Sequence, residues 1–212
     1  MDEKRKVSIA VVKRLPRYYR YLSDLLASGI TRISSKELST RMGITASQIR
    51  QDLNCFGGFG QQGYGYNVEL LYNEIKKIMG ITTNFKTVII GAGNMGRALA
   101  TYPNFEKRGF ELVGIFDVEP SLIGGSVKGI KIMHLYTLEK FCVDNKVDIA
   151  ILTVPHDRTP EVAEYATRCG IQALWNFSPM DLKVQNGAII ENVHLSDSLM
   201  VLGYRLNEKR ES

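Results

Sequence analysis

The residues with the most chemical content are Gly91-Ala92-Gly93-Asn94-Met95-Gly96, spaced GxGxxG. They follow the β-branched run Lys86-Thr87-Val88-Ile89-Ile90 directly and open a helical stretch through Ala100. Strand, glycine loop and helix in that order form the context in which this spacing binds a dinucleotide. The first glycine permits a tight turn, the second lets pyrophosphate approach the backbone, and the third allows close packing of a helix whose amino terminus faces the phosphates. Twenty-one residues after Gly96, at the end of the next run Leu112-Val113-Gly114-Ile115-Phe116, stands Asp117. A carboxylate there accepts hydrogen bonds from the adenosine ribose and repels a 2′-phosphate. Val118, beside it, opens a Val118-Glu119-Pro120 stretch with no arginine to hold such a phosphate. The expected ligand is therefore NAD(H) rather than NADP(H).

Two further runs, Asp148 to Val154 ended by Pro155, and Ala173 to Phe177 before Ser178-Pro179, read as strands. Ligands of doubly wound sheets lie beyond the carboxyl ends of the strands, which makes Thr153, Val154, Pro155, Asn176 and Phe177 the expected nicotinamide-side wall. Plain strand termini with proline as a stop signal account for the same residues equally well. His156-Asp157 is the one acid/base pair at that mouth. The 132 residues after position 80 suffice for a nucleotide fold and little else, whereas dehydrogenases add a substrate domain. No catalytic residue is expected. A small oxidoreductase using His156 stays as a second reading, and a coenzyme A or nucleotide module without DNA as a third. His134 and His194 are not spaced with His156 as metal ligands, so no metal is expected.

Charge divides the chain. Residues 1 to 80 hold 13 Lys and Arg against 7 Asp and Glu, whereas the remainder holds 14 against 15. The surplus sits in the first module, seven of its basic residues within the first twenty positions, as a polyanion partner or a solvated basic face would require. Val11, Leu15, Tyr18, Leu22 and Leu26 recur at helical spacing up to Gly29, with Pro16 predicting a short helix before it and the main one from about there. Ser34 with Glu37 and Thr45 with Gln48 read as two capping boxes, the first helix ending near Gly43 and the second running from Ala46 to about Phe56. Two helices around a short glycine turn form a helix-turn-helix, which brings Ser47, Gln48, Arg50 and Gln51 within reach of base edges. The alternating glycines and aromatics from Gly57 to Tyr66 predict a β-hairpin wing, and a helix from Val68 to Met79 closes the module. The boundary falls at Ile81-Thr82-Thr83-Asn84.

A length of 212 residues suits two compact modules, and neither a membrane span nor a signal segment is visible. The expectation is a cytoplasmic protein, its widely spaced Cys55, Cys142 and Cys169 reduced. In the tail, Leu195, Leu199, Leu202 and Leu206 share one helical face, suited to a dimer contact or to a core.

The stretches Lys13 to Leu22, Ala46 to Leu53, Gly65-Tyr66-Asn67-Val68 and the GAGNMG loop, together with Thr153-Val154-Pro155 and Asn176-Phe177-Ser178-Pro179, resemble the Rex family of redox-sensing repressors over essentially the whole chain. The resemblance implies an α/β chain in three parts: a winged helix-turn-helix over 1–80, a Rossmann-type doubly wound parallel sheet over 81–195, and a helix over 196–212 exchanged in a homodimer. It further implies repression at a palindromic double-stranded DNA operator, with release by NADH, so that expression follows the NADH to NAD⁺ ratio. Its DNA contacts take in Arg14, Ser35, Lys36, Thr45, Gln62 and Tyr66 beside the recognition-helix residues. Tyr102 matches a tyrosine beside the nicotinamide, and Arg20 an arginine that senses the domain arrangement. The chain departs from the family at three places. His194 replaces an aspartate that answers to Arg20 and Tyr102; Gln51 replaces a lysine; and Gln61-Gln62 replaces basic residues at the wing tip, predicting fewer phosphate contacts and a shallower salt dependence.

Overall fold

The computed structural model describes residues 7–57, 59–61 and 64–211. They form two compact units, Met1–Thr82 and Thr83–Ser212.

The first unit opens with α1 (Ile9–Ala27), capped by the Ser8 hydroxyl accepting from the Val11 amide. It is one continuous helix through Pro16, not two pieces. The proline costs roughly 3 kcal/mol mid-helix. Val11, Leu15, Tyr18, Leu22 and Leu25 are buried along one face on both sides of it, at about 1.5–3 kcal/mol each, so packing outweighs the break. Then come β1 (Arg32–Ile33), α2 (Ser35–Met42), α3 (Ala46–Asn54), β2 (Gly60–Gln61), β3 (Gly65–Asn67) and α4 (Val68–Ile78). The Ser34–Glu37 capping box is complete, and Gly43 ends α2 in the left-handed conformation. The second box is only half made: Thr45 accepts from the Gln48 amide, but the Gln48 side chain reaches forward to Asp52 instead. The wing is a small antiparallel sheet ordered β1-β3-β2, with a first strand of two residues that is too short to show a period. Gly65, at φ +70°, lies so close to Ile33 that a Cβ would stand 2.5 Å from its carbonyl oxygen.

The second unit contains β4 (Phe85–Ile90), α5 (Asn94–Ala100), β5 (Phe110–Asp117), β6 (Ser126–Val127), β7 (Ile130–His134), α6 (Leu138–Asn145), β8 (Ile149–Leu152), α7 (Thr159–Arg168), β9 (Ala173–Asn176), β10 (Ile189–Asn192) and α8 (Leu195–Glu211). The sheet runs β10-β9-β8-β4-β5-β7-β6 and is parallel except for β6. The chain leaves β4 outward on one side through β5 and β7, then returns to build β8, β9 and β10 on the other, which puts the switch point between β4 and β8. That is where a doubly wound sheet opens its crevice. Period-two alternation separates two cores: Val88, Ile90 and Leu152 pack with Phe116 and Leu174, whereas Ile89, Ile115 and Ile151 pack with Ala92 and Ala100. No residue of α8 is buried, and Leu195, Leu199, Leu202 and Leu206 are all exposed. No helix of the described residues is long and apolar enough to cross a membrane.

Candidate nucleotide and base-reading sites

At the mouth of the parallel sheet the glycines do what their spacing requires. Gly91 sits at φ +105°, and a Cβ there would meet the Thr153 carbonyl oxygen at 2.6 Å. A Cβ on Gly96 would stand 1.9 Å from the carbonyl oxygen of Gly91, so only glycine lets α5 come this close. A Cβ on Gly93 would meet nothing within 4 Å, and that open side of the loop is the space a pyrophosphate needs. Ala92 is buried beneath the loop while Asn94 and Met95 are exposed.

Asp117, the last residue of β5, is fixed by backbone amides. One carboxylate oxygen accepts from Ala92 in the glycine loop, and the other accepts from Val118 at 2.7 Å and Glu119 at 2.9 Å. The carboxylate is thus tied to the phosphate loop itself. The Thr153 hydroxyl donates to the Gly91 carbonyl at 2.8 Å, which makes Thr153 a clamp on the loop as well as a wall residue. A cleft of about 860 Å³ joins Gly91, Gly93, Asp117, Val118 and the Thr153-Val154-Pro155 turn to Arg158 and Tyr165 from the region of α7. These last two give no sequence signal, because they reach the cleft only through the fold.

Four rings form a chain: Tyr102 to Phe105 at 4.9 Å, Phe105 to Trp175 at 5.7 Å and Trp175 to Phe177 at 4.6 Å between centroids. Tyr102 and Phe177 are thereby brought into one aromatic wall, completed by Phe105 and Trp175, which no sequence motif marks. Asn176 is a correction. It is fully buried, its amide donating to Asn192 at 2.9 Å and to the Met180 carbonyl at 3.0 Å, so it holds the turn after β9 and presents no face to a ligand. His156 and Asp157 are exposed, with Asp157 paired to its neighbour Arg158. His194 pairs with Asp181 at 3.0 Å. Among the described residues no cluster of His, Cys, Asp or Glu could hold a metal ion.

In the first unit, Thr45, Ser47, Arg50 and Gln51 lie on and before α3, with Arg50 and Gln51 exposed there and Lys36 on the first turn of α2. Arg50 donates to the Ser35 hydroxyl at 3.0 Å, joining the two helices. Arg14 and Gln48 are both engaged by Asp52. Arg14 grips its carboxylate at 2.6 and 2.7 Å, Gln48 donates at 2.7 Å and the Tyr18 hydroxyl at 3.0 Å. Asp52 is fully buried. Burial by itself pushes its carboxyl up, but the bonds from Arg14, Gln48 and Tyr18 outweigh burial and hold it below the usual carboxylate range. Tyr66 is a second correction: it is 6% exposed, with its ring against Gly60 in the wing's core, and has no surface to offer DNA. Gln62 lies outside the described residues.

Residues 6–54 match the family described as "Putative DNA-binding protein N-terminus", and residues 82–180 match the CoA binding domain family. The chain is 58% identical over 209 residues to the redox-sensing transcriptional repressor Rex of Thermoanaerobacter pseudethanolicus, covering 99% of this chain and 93% of that one. Against the repressor of the same name from Clostridium tetani the identity is 51% over 211 residues, with 100% of both chains covered. The crystal structure of RSP in complex with β-NAD⁺ and operator DNA superposes with a TM-score of 0.90 at 57% identity, covering 96% of this chain and 94% of that one. RSP in complex with β-NADH gives 0.90 at 54%, covering 97% and 96%.

Proposed function

Because the chain belongs to the Rex family of redox-sensing transcriptional repressors, we propose that it holds a palindromic operator as a homodimer and releases it when NADH fills the cleft of the second unit. It is a DNA-binding repressor regulated by NADH, and not an enzyme. The observation that carries the nucleotide half is the Asp117 carboxylate bonded to the Ala92 amide of the glycine loop. Ribose recognition and pyrophosphate recognition are built there as one piece.

The loop Gly91-Ala92-Gly93-Asn94-Met95-Gly96 would hold the pyrophosphate at its open side, by the backbone amides around Gly93, Asn94 and Met95, while the Gly91 and Ala92 amides donate to Phe116 and Asp117 and shape the loop. Asp117 and Val118 would hold the adenosine ribose, and Thr153, Val154, Pro155, Tyr102 and Phe177 the nicotinamide side. A carboxylate at the ribose disfavours the 2′-phosphate of NADP(H), and the 3′-phosphate of coenzyme A for the same reason. What NADH supplies is differential affinity: it shifts the chain off DNA only by binding the released arrangement more tightly than the DNA-bound one. Arg20, Tyr102 and His194 are the proposed relay. His194, already facing Asp181, brings a carboxylate with it, though not its own. The exposed leucines of α8 are the proposed dimer surface, and the proposed location is the cytoplasm, where NADH and operator coexist.

The test is an operator duplex titrated with the chain in a mobility-shift assay, with NADH or NAD⁺ added at saturation. NADH should release the duplex while NAD⁺ leaves it bound; an unchanged shift with NADH refutes the reading. The oxidoreductase reading rests on His156 alone and would need NADH turnover that His156→Ala abolishes.

A further inference from the structure

Gln48 sits one turn before Asp52 on α3 and, among the described residues, is the base-reading candidate of that helix whose side-chain amide is held from inside the protein. A carboxylate can only accept, so the group that Gln48 turns toward Asp52 has to be its NH₂. The carbonyl oxygen Oε1 is then directed away from the carboxylate, and the described residues give it no hydrogen-bond partner. The carboxylate cannot rotate to relax this arrangement, because Arg14 grips both its oxygens and Tyr18 holds one of them in a fully buried position.

We propose that Asp52 is a positioning residue that sets the polarity of the Gln48 amide, so that α3 meets the major groove with a fixed acceptor, Oε1, flanked by the remaining NH₂ hydrogen. That order of acceptor and donor matches adenine, whose N6 amino group donates and whose N7 accepts. Guanine offers two acceptors in the groove and would face Oε1 with a repulsive pair. Cytosine satisfies Oε1 but leaves the donor unmatched. A freely rotating glutamine could flip and compromise; this one cannot. The proposal rests on α3 reading bases, as the proposed function holds.

The experiment is selection of binding sites from a random duplex pool by the wild-type chain, Gln48→Ala and Asp52→Asn, each checked for folding by thermal melting. Replacing Asp52 with asparagine keeps the shape, but its one oxygen is drawn to the side where Arg14 Nε and Tyr18 donate, which turns its NH₂ toward Gln48 and favours the reversed glutamine amide. Wild type should prefer adenine at one base pair of each half-site by ~10-fold. Gln48→Ala and Asp52→Asn should both reduce that preference to under ~2-fold at the same pair and leave the rest of the site unchanged. If Gln48→Ala alters no position, the base-reading role fails and the proposal with it. If Gln48→Ala erases the preference and Asp52→Asn keeps it, or Asp52→Asn weakens all positions evenly, positioning by Asp52 is refuted alone. A probe that needs no variant uses the selected duplex with purine in place of that adenine, which removes only the N6 amino group. Wild-type affinity should fall by ~10-fold, and unchanged affinity overturns the proposal.

Discussion

The two units solve recognition in opposite ways. The first holds α3, its proposed reading helix, with side chains: a buried Asp52 gripped by Arg14, Tyr18 and Gln48, and an Arg50 braced on Ser35. The second prepares its site by leaving side chains out, through Gly91 and Gly96 pressed against backbone and Gly93 open to the ligand. Base edges differ by donors and acceptors and must be met by oriented side-chain groups. A pyrophosphate is met by backbone amides, for which any Cβ is an obstruction. A substitution that adds atoms should therefore be most damaging in the second unit, and one that removes a polar partner most damaging in the first.

Gly96→Ala breaks the second unit's side of this contrast most sharply. With its Cβ at 1.9 Å from the Gly91 oxygen the loop must open, at a cost of at least ~3 kcal/mol, so NADH affinity measured by calorimetry should fall by roughly 100-fold or more. An alanine variant that binds NADH normally would show that the close approach is not needed.

Arg14→Ala tests the first unit by subtraction. It strands a fully buried carboxylate and should destabilise that unit by ~3 kcal/mol, seen as a lowered first melting transition with the second unchanged. Acid offers the same test without a mutation. The folded Asp52 carboxyl lies below its unfolded value, so its contribution is present above the usual carboxylate range and is lost as pH falls through the depressed folded value. The first transition should hold steady from neutral pH down to that range and drop below it; Asp52→Asn should remove this drop.

Arg50→Ala should weaken operator binding by ~2 kcal/mol in a mobility-shift titration and relax preference at the pair it reads. Unchanged affinity takes Arg50 out of the interface. Asp117→Ala, the mildest change, removes atoms from the unit that tolerates removal. It should weaken NADH by ~1.5 kcal/mol while apo DNA binding stays intact, and loss of both would show that Asp117 is structural.

How far the sequence led depended on how local each signal was. The glycine loop, Asp117, the Ser34–Glu37 box and the two helices around Gly43 are written in short windows, and the structure has them where the spacing put them. Pro16 misled because its local penalty is visible while the buried face that outweighs it belongs to the whole unit. Arg14 and Asp52 are 38 positions apart, so nothing local announces their bond. Phe105 and Trp175 meet only when the chain beyond α5 and strand β9 are brought together by the sheet. The end of a strand predicts Asn176 at the ligand and the family resemblance implies Tyr66 at DNA, but neither signal carries side-chain direction, and each is buried in a turn or wing it helps to build. The sequence does not predict the β7 strand: its five residues, Ile130–His134, are too short a window to set their alternation apart from a loop.

The central claim is that one chain couples the glycine loop to the recognition helix. Its most direct test is NADH affinity measured by calorimetry with and without saturating operator duplex. Linkage requires that a ligand which expels DNA binds more weakly when DNA is present, so operator should reduce NADH affinity by at least ~5-fold and leave NAD⁺ much less affected. Equal NADH affinity in the two conditions would contradict the account.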